Sequence, residues 1–209
     1  MEDKRNAVLM TVIAVVTLLL CVIGATLAYF QAQGGVSVQA NVNVTTNTTD
    51  NLSFLVGNPI SFSITQDNFG LGMGNRSGST TATATLTANN ATNTATENYY
   101  IYLDISNNSF VYTTDTNQAE MLLRVIDPTG AEVTSIDGLT QVTSGEVTGF
   151  DITTSTGLIT IADNYEIIAT PQATQEWTVE IVFVNLDTDQ QENTGKTFSA
   201  ELLIQRNAL

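Results

Sequence analysis

The sequence predicts an all-β fold: an antiparallel β-sandwich, of the jelly-roll kind, preceded by an N-terminal hydrophobic helix. Three observations carry this. Short segments alternate apolar and polar side chains between turn-forming clusters, the pattern of strands with one buried face. Beyond Gly34 no stretch reads as a long amphipathic helix, so nothing supplies the helices that cover a parallel sheet. Thr, Ser, Asn and Gln fill the polar positions, and charged residues are only 13% of the chain, against roughly 25% in an average soluble domain.

The first element is uncharged from residue 7 to residue 30 and reads AVLMTVIAVVTLLLCVIGATLAYF. It is long enough to span a bilayer. Its end, Gly24-Ala25-Thr26-Leu27-Ala28, offers small residues where a signal peptidase reads. Cleavage after Ala28 places Thr26 and Ala28 at the minus-three and minus-one sites and makes Tyr29 the new N-terminus. The other reading retains residues 7–30 as a membrane anchor. The small-residue ending favours cleavage, although Glu2 and Asp3 offset Lys4 and Arg5 in the leading segment. Leu18-Leu19-Leu20-Cys21 is a poor lipobox, because Leu20 is bulky and the apolar run continues past Cys21. A type IV pilin would carry a Glu near the start of its mature helix, and none lies between Asp3 and the β region. Cys21 is the only cysteine, so the exported part forms no internal disulfide.

The second element is strictly periodic: Val36, Val38, Ala40, Val42 and Val44 alternate with Ser37, Gln39, Asn41 and Asn43. This is a strand with one apolar face. A polar run over residues 45–51 follows it instead of a hairpin turn. A lone strand near a free end must find a sheet, in its own molecule or in another. The chain therefore divides into a signal peptide or anchor (1–28), an N-terminal donor-type strand and linker (29–51), and a β-sandwich domain (52–209).

Within the sandwich, residues 60–65 (ISFSIT) place Ile60, Phe62 and Ile64 on one face. Residues 80–87 alternate Thr with small or apolar side chains and suit an exposed edge. Residues 99–105 (YYIYLDI) and 121–126 are rich in β-formers, and Asp127-Pro128-Thr129-Gly130 then makes a turn. Residues 118–123 offer a turn of helix as the competing reading. Shorter strands are expected at 132–136, 149–152, 158–161 and 165–169. Residues 177–184 (WTVEIVFV) and 197–205 (TFSAELLIQ) close the set, joined across 185–195 as a long hairpin.

Charge and composition exclude several functions. Glu2, Asp3, Lys4 and Arg5 cancel, so the formal charge of -15 rests on the remainder. Its only cations, Arg76, Arg124, Lys196 and Arg206, are scattered, which argues against nucleic acid as a partner. There is no histidine, which weakens zinc chemistry, a Ser-His-Asp triad and any imidazole base. Gly70-Leu71-Gly72-Met73-Gly74 lacks the Lys-Ser/Thr of a phosphate-binding loop and reads as a loop. Asp187, Asp189 and Glu192 would suit calcium only with more oxygen ligands around them, and the EF-hand spacing is missing. Asp127, Asp137, Asp151 and Asp163 sit near turns, where Asp caps its own backbone. Nothing selects a pair of them for glycoside hydrolysis. Lys196, the one lysine beyond the leading segment, would need a buried acid beside it and an Asn to form a cross-link. Trp177 reads as a core anchor, while Tyr99, Tyr100 and Tyr102 suit strand packing as well as a carbohydrate platform. Six Asn-x-Ser/Thr sequons occur, at Asn43, Asn47, Asn51, Asn75, Asn90 and Asn107. No catalytic residue, cofactor or metal site is expected.

Two stretches together resemble a known family. Gly24-Ala25-Thr26-Leu27-Ala28-Tyr29-Phe30 looks like the end of a SipW-type signal peptide, and WTVEIVFVNLDTDQQENTGKTFSA, residues 177–200, looks like the closing β-hairpin of TasA-like proteins. The segment 149–161 is similar to other members. The chain thus resembles the TasA/camelysin family of exported bacterial fibre proteins. That resemblance implies a jelly roll, processing by a dedicated signal peptidase, secretion to the cell surface or extracellular matrix, and assembly into biofilm fibres. It implies head-to-tail homopolymerisation in which Val36, Val38, Ala40, Val42 and Val44 of one subunit fill a groove in the next. Camelysin-like members have been labelled metalloproteases, but this chain has no His-Glu-x-x-His helix and that activity is not carried over. The alternative function is a membrane-tethered β-sandwich adhesin or carbohydrate-binding module, held by residues 7–30.

Elementary energetics bound the donor strand. Burial at about 1.5 kcal/mol per valine gives about 6 kcal/mol as an upper value. Lost translational and rotational freedom costs about 4–15 kcal/mol. Main-chain hydrogen bonds along a sheet edge must therefore supply much of the rest.

Overall fold

The computed structural model describes residues 50–67 and 69–209. Ten strands follow in chain order: β1 (Asn51–Val56), β2 (Ile60–Ser63), β3 (Arg76–Thr87), β4 (Ala95–Asn108), β5 (Met121–Ile126), β6 (Gln141–Ser144), β7 (Val147–Asp151), β8 (Gly157–Ala169), β9 (Gln172–Phe183) and β10 (Thr197–Gln205). A single 3-10 turn, Gln191–Asn193, interrupts the β9–β10 connection. The strands form two antiparallel sheets packed as a sandwich, a six-stranded one in the order β1-β3-β9-β5-β7-β6 and a four-stranded one in the order β2-β10-β4-β8. The expected N-terminal hydrophobic helix lies outside the described residues.

The inward face of each long strand accounts for the core. On β9, Trp177, Val179, Ile181 and Phe183 are buried at every second position. Alternate residues Thr178 and Glu180 face outward, as period-two geometry requires. Ring contacts cross the interior, with Phe69 and Phe110 centred 4.8 and 4.9 Å from Phe183. A smaller apolar cluster sits on the opposite face of the six-stranded sheet. There the cross-strand pair Leu122 and Val182 is buried with Ala119 and Val184, and Leu186 packs against it.

Several expectations need correction. Residues 80–87 are not an exposed edge: β3 pairs with β1 along six residues and with β9 along all twelve. Ala82, Ala84 and Leu86 are wholly buried, and the alternating Ala-Thr pattern is a central strand with small inward side chains. Residues 158–161 and 165–169 belong to one strand, β8, continuous through Asp163 and Asn164 because irregular pairing with β4 around Ile101 absorbs the break in pattern. Residues 132–136 form no strand and contribute a single bridge, Glu132 to Ile126. No helical turn occupies 118–123; Met121 begins β5. The 185–195 segment is not a hairpin, because β9 and β10 lie in different sheets and it carries the chain across the end of the sandwich. Strand β1 was not foreseen, although Leu52, Phe54 and Val56 alternate along it.

The predicted turn at 127–130 forms, with the Gly130 amide donating to the Asp127 carbonyl at 2.9 Å. Gly130 has φ of +84° there, a conformation that glycine adopts without strain. Gly149 is needed for a different reason. A Cβ on it would stand 2.9 Å from the Leu123 carbonyl oxygen and 3.1 Å from Leu122 Cβ. We expect Gly149→Ala to push β7 off β5 and cost about 1–3 kcal/mol in urea denaturation. An unchanged midpoint would show that the two strands part without penalty.

Candidate functional site

The cleavage residues Ala28 and Tyr29, and the strand residues Val36, Val38, Ala40, Val42 and Val44, lie outside the described residues. Asp50, the residue before β1, is the first described residue after that N-terminal stretch. The rim at this junction is the first candidate site. The chain leaves the six-stranded sheet at Val56, crosses in three residues and enters the four-stranded sheet at Ile60. Gly57 makes the crossing close, donating to the Thr81 carbonyl at 2.8 Å, and a Cβ on it would meet Thr80 Oγ1 at 2.6 Å.

Among the described residues this switch leaves two strands incompletely flanked. Among the described residues, strand β1 pairs on one side only, with β3. Strand β10 is flanked by β2 only from Thr197 to Ala200, whereas its pairing with β4 runs on to Gln205. The inward side chains at this rim, Leu52, Phe54, Val56 and Ile204, pack on the core yet are only half-buried.

The acidic residues do not converge. Among the described residues no three metal-ligating side chains form a group. Asp187 Oδ1 accepts from the Gly72 amide at 3.1 Å, and Asp189 Oδ1 from the Gln191 amide at 3.0 Å. Asp127 Oδ1 accepts from the Thr129 hydroxyl at 2.6 Å and its amide at 2.8 Å, and from the Ala131 amide at 3.1 Å. The Thr129 hydroxyl, helped by these amides, holds the Asp127 carboxyl below its usual range. Asp151 receives Tyr112 on one oxygen, at 2.8 Å, and Thr153 on the other. Burial, reinforced by that carboxylate, raises the Tyr112 phenol. Asp137 and Asp163 both line a cavity of about 360 Å³ with Tyr102 and Thr160. The sequons at Asn51, Asn75, Asn90 and Asn107 are all exposed.

One acid stands apart, and sequence reasoning did not single it out. Glu120 is completely buried. Its Oε1 accepts from both the amide and the hydroxyl of Thr113, each at 2.6 Å. Its Oε2 accepts from Gln190 Nε2 at 2.6 Å and Asn193 Nδ2 at 2.8 Å. The same two amides are held from behind: Gln190 accepts from the Leu186 amide, and Asn193 accepts from and donates to the backbone of Val111. Glu120 therefore ties the 109–120 segment to the 185–195 crossover at one end of the sandwich. This is the buried acid that a Lys–Asn cross-link would need, and it does lie against Asn193. Lys196, however, forms no ion pair among the described residues.

Tyr99 and Trp177 form a polar bridge through the core. Tyr99 is fully buried and Trp177 nearly so, which removes Tyr99 from any carbohydrate platform. The Trp177 indole donates to the Tyr99 hydroxyl at 2.9 Å, and that hydroxyl donates to Gln175 Oε1 at 2.7 Å. Tyr165 packs edge-on against Trp177 with centroids 4.9 Å apart. Burial pushes the Tyr99 phenol up to about 12. The unfolded chain ionises near 10 and the folded one later, so this contribution is intact at neutral pH and is lost as pH rises from about 10 to 12. Tyr99→Phe should cost about 1–3 kcal/mol at pH 7, by stranding the indole donor, and should flatten the alkaline decline. Urea titrations at pH 7 and 11 check both; an equally steep decline in the variant would assign it elsewhere.

Compared with protein-family models, curated proteins and solved structures, the chain gives no match.

Proposed function

We propose that this chain is the structural subunit of an extracellular fibre or biofilm matrix, of the kind its TasA-like sequence features imply, and that it is not an enzyme. It is exported, cut after Ala28 by a signal peptidase, and assembles with copies of itself by donating the strand 36–44 to a neighbour. The observation that carries the reading is the position of that alternating, uncharged segment: across a short polar run it precedes a sandwich in which β1 is, among the described residues, an edge with half-covered apolar residues. Strand addition is an established way to satisfy such an edge. The acidic surplus suits a subunit that must stay soluble until it assembles.

We also read the sandwich as a jelly roll. Taking β2, β3, β4, β5, β7, β8, β9 and β10 as its eight strands, the sheets run first-eighth-third-sixth and second-seventh-fourth-fifth. That is the order produced by wrapping a long hairpin into two Greek keys, with β1 and β6 as additions at the two ends of one sheet.

Electron microscopy of the secreted protein, with sequencing of its N-terminus, tests the reading. Filaments built from chains beginning at Tyr29 support it. Single particles of full-length chain in the membrane fraction would replace it with the tethered adhesin or carbohydrate-binding module.

A further inference from the structure

We infer that the acceptor for the donated strand is the free flank of β10 along residues 201–205, and that its occupant is the segment 36–44 of a second copy of this chain. The inference rests on the fibre reading and adds the place of attachment. The four-stranded sheet has a strand of nine residues, β10, covered on its outer side by a strand of four, β2. Past Ala200 no described strand pairs with β10 on the side that β2 flanks, because the chain has crossed to the other sheet. Backbone groups of 201–205 that point away from β4 thus face a lane that no described strand fills.

The apolar surface beside that lane points to a strand with one greasy face. Leu52, Phe54 and Val56 of β1 and Ile204 of β10 border it from the two sheets, all half-buried where their counterparts elsewhere are covered. A strand in the lane lays every second side chain over these four. Val36, Val38, Ala40, Val42 and Val44 provide that spacing, and the segment bears no charge to be desolvated. Its polar face, Ser37 to Asn43, would join an outer surface already formed by Glu201, Leu203 and Gln205.

Of the other sheet edges, β8 and β6 lack this combination. Beneath β8 the inward residues Ile159, Ile161, Ile167 and Ala169 are already buried, and the strand carries Asp163 and Glu166 and pairs irregularly with β4, features that blunt an edge. Strand β6 is four residues long and its inward Ser144 is bonded to the Ala119 carbonyl.

Hydrogen exchange on the exported protein, as monomer and as fibre, tests the assignment. Peptides covering 201–205 should exchange at least about tenfold more slowly in the fibre, while β6 and β8 stay unchanged. A second measurement identifies the occupant. Heavy-isotope protein bearing Gln39→Cys, Asn41→Cys or Asn43→Cys is co-assembled with light protein bearing Leu203→Cys, then oxidised. A heavy–light disulfide from at least one of the three is expected. Fibres that instead protect β6 or β8, with 201–205 as exchangeable as before, overturn this acceptor and leave the fibre reading standing. Protection of 201–205 already present in the monomer, with no heavy–light disulfide, also overturns it. Absence of fibres under every assembly condition removes both.

Discussion

Replacing Glu120 with Ala is expected to lower the unfolding free energy by about 3–5 kcal/mol, through buried donors left without an acceptor. For a domain of this size that is a fall in Tm on the order of 10 °C. The argument is geometric. Four donors converge on the two carboxylate oxygens of a completely buried group. Glu120→Gln keeps the shape and should still cost about 2 kcal/mol. Its new NH2 must face either the fixed amide of Thr113 or the two side-chain amides. Turning Gln190 around would break its bonds to Leu186 and Val184, and turning Asn193 around would break its pair with Val111. Thermal and urea denaturation of both variants give the answer. If Glu120→Ala melts with the parent protein, the segments at this end are held by something other than the carboxylate.

The ease of reading each part from sequence follows from where its information lies. Strands β9 and β10 announce themselves because local alternation coincides with a buried face, and β5 because it is a short apolar run, buried on both faces. The same pattern is silent about which sheet a strand joins, so β9 and β10, neighbours in sequence, read as a hairpin although they belong to opposite sheets. Strand β3 read as an edge because Ala is a poor marker of burial, yet Ala82 and Ala84 are wholly buried between β1 and β9. Strand β1 carried its signal in Leu52, Phe54 and Val56 but was hidden by the polar run before it. Glu120 had no local signal. Two of its partners, Gln190 and Asn193, are 70 and 73 residues away, and a lone Glu before a strand resembles any surface acid. The rim at β1 and β10 was equally illegible, since it depends on β2 ending five residues short of its neighbour.

The double variant Val38→Asp, Val42→Asp should be exported, fold and remain monomeric. Two valines lost from an apolar lane forfeit about 3 kcal/mol, on the order of 150-fold in the association constant. Two carboxylates brought unpaired against Leu52, Phe54, Val56 and Ile204 add several kcal/mol each. Together these drive the expected drop in assembly well beyond 10,000-fold, past what a rise in concentration can recover. The thermal midpoint of the monomer carries the second half of the test. A strand that serves a neighbour contributes nothing to the stability of its own sandwich, so the variant monomer should melt with the parent monomer. A clear fall in that midpoint would mean that Val38 and Val42 belong to the subunit's own core, and filaments indistinguishable from the parent's would mean that the valine face is not what joins one subunit to the next.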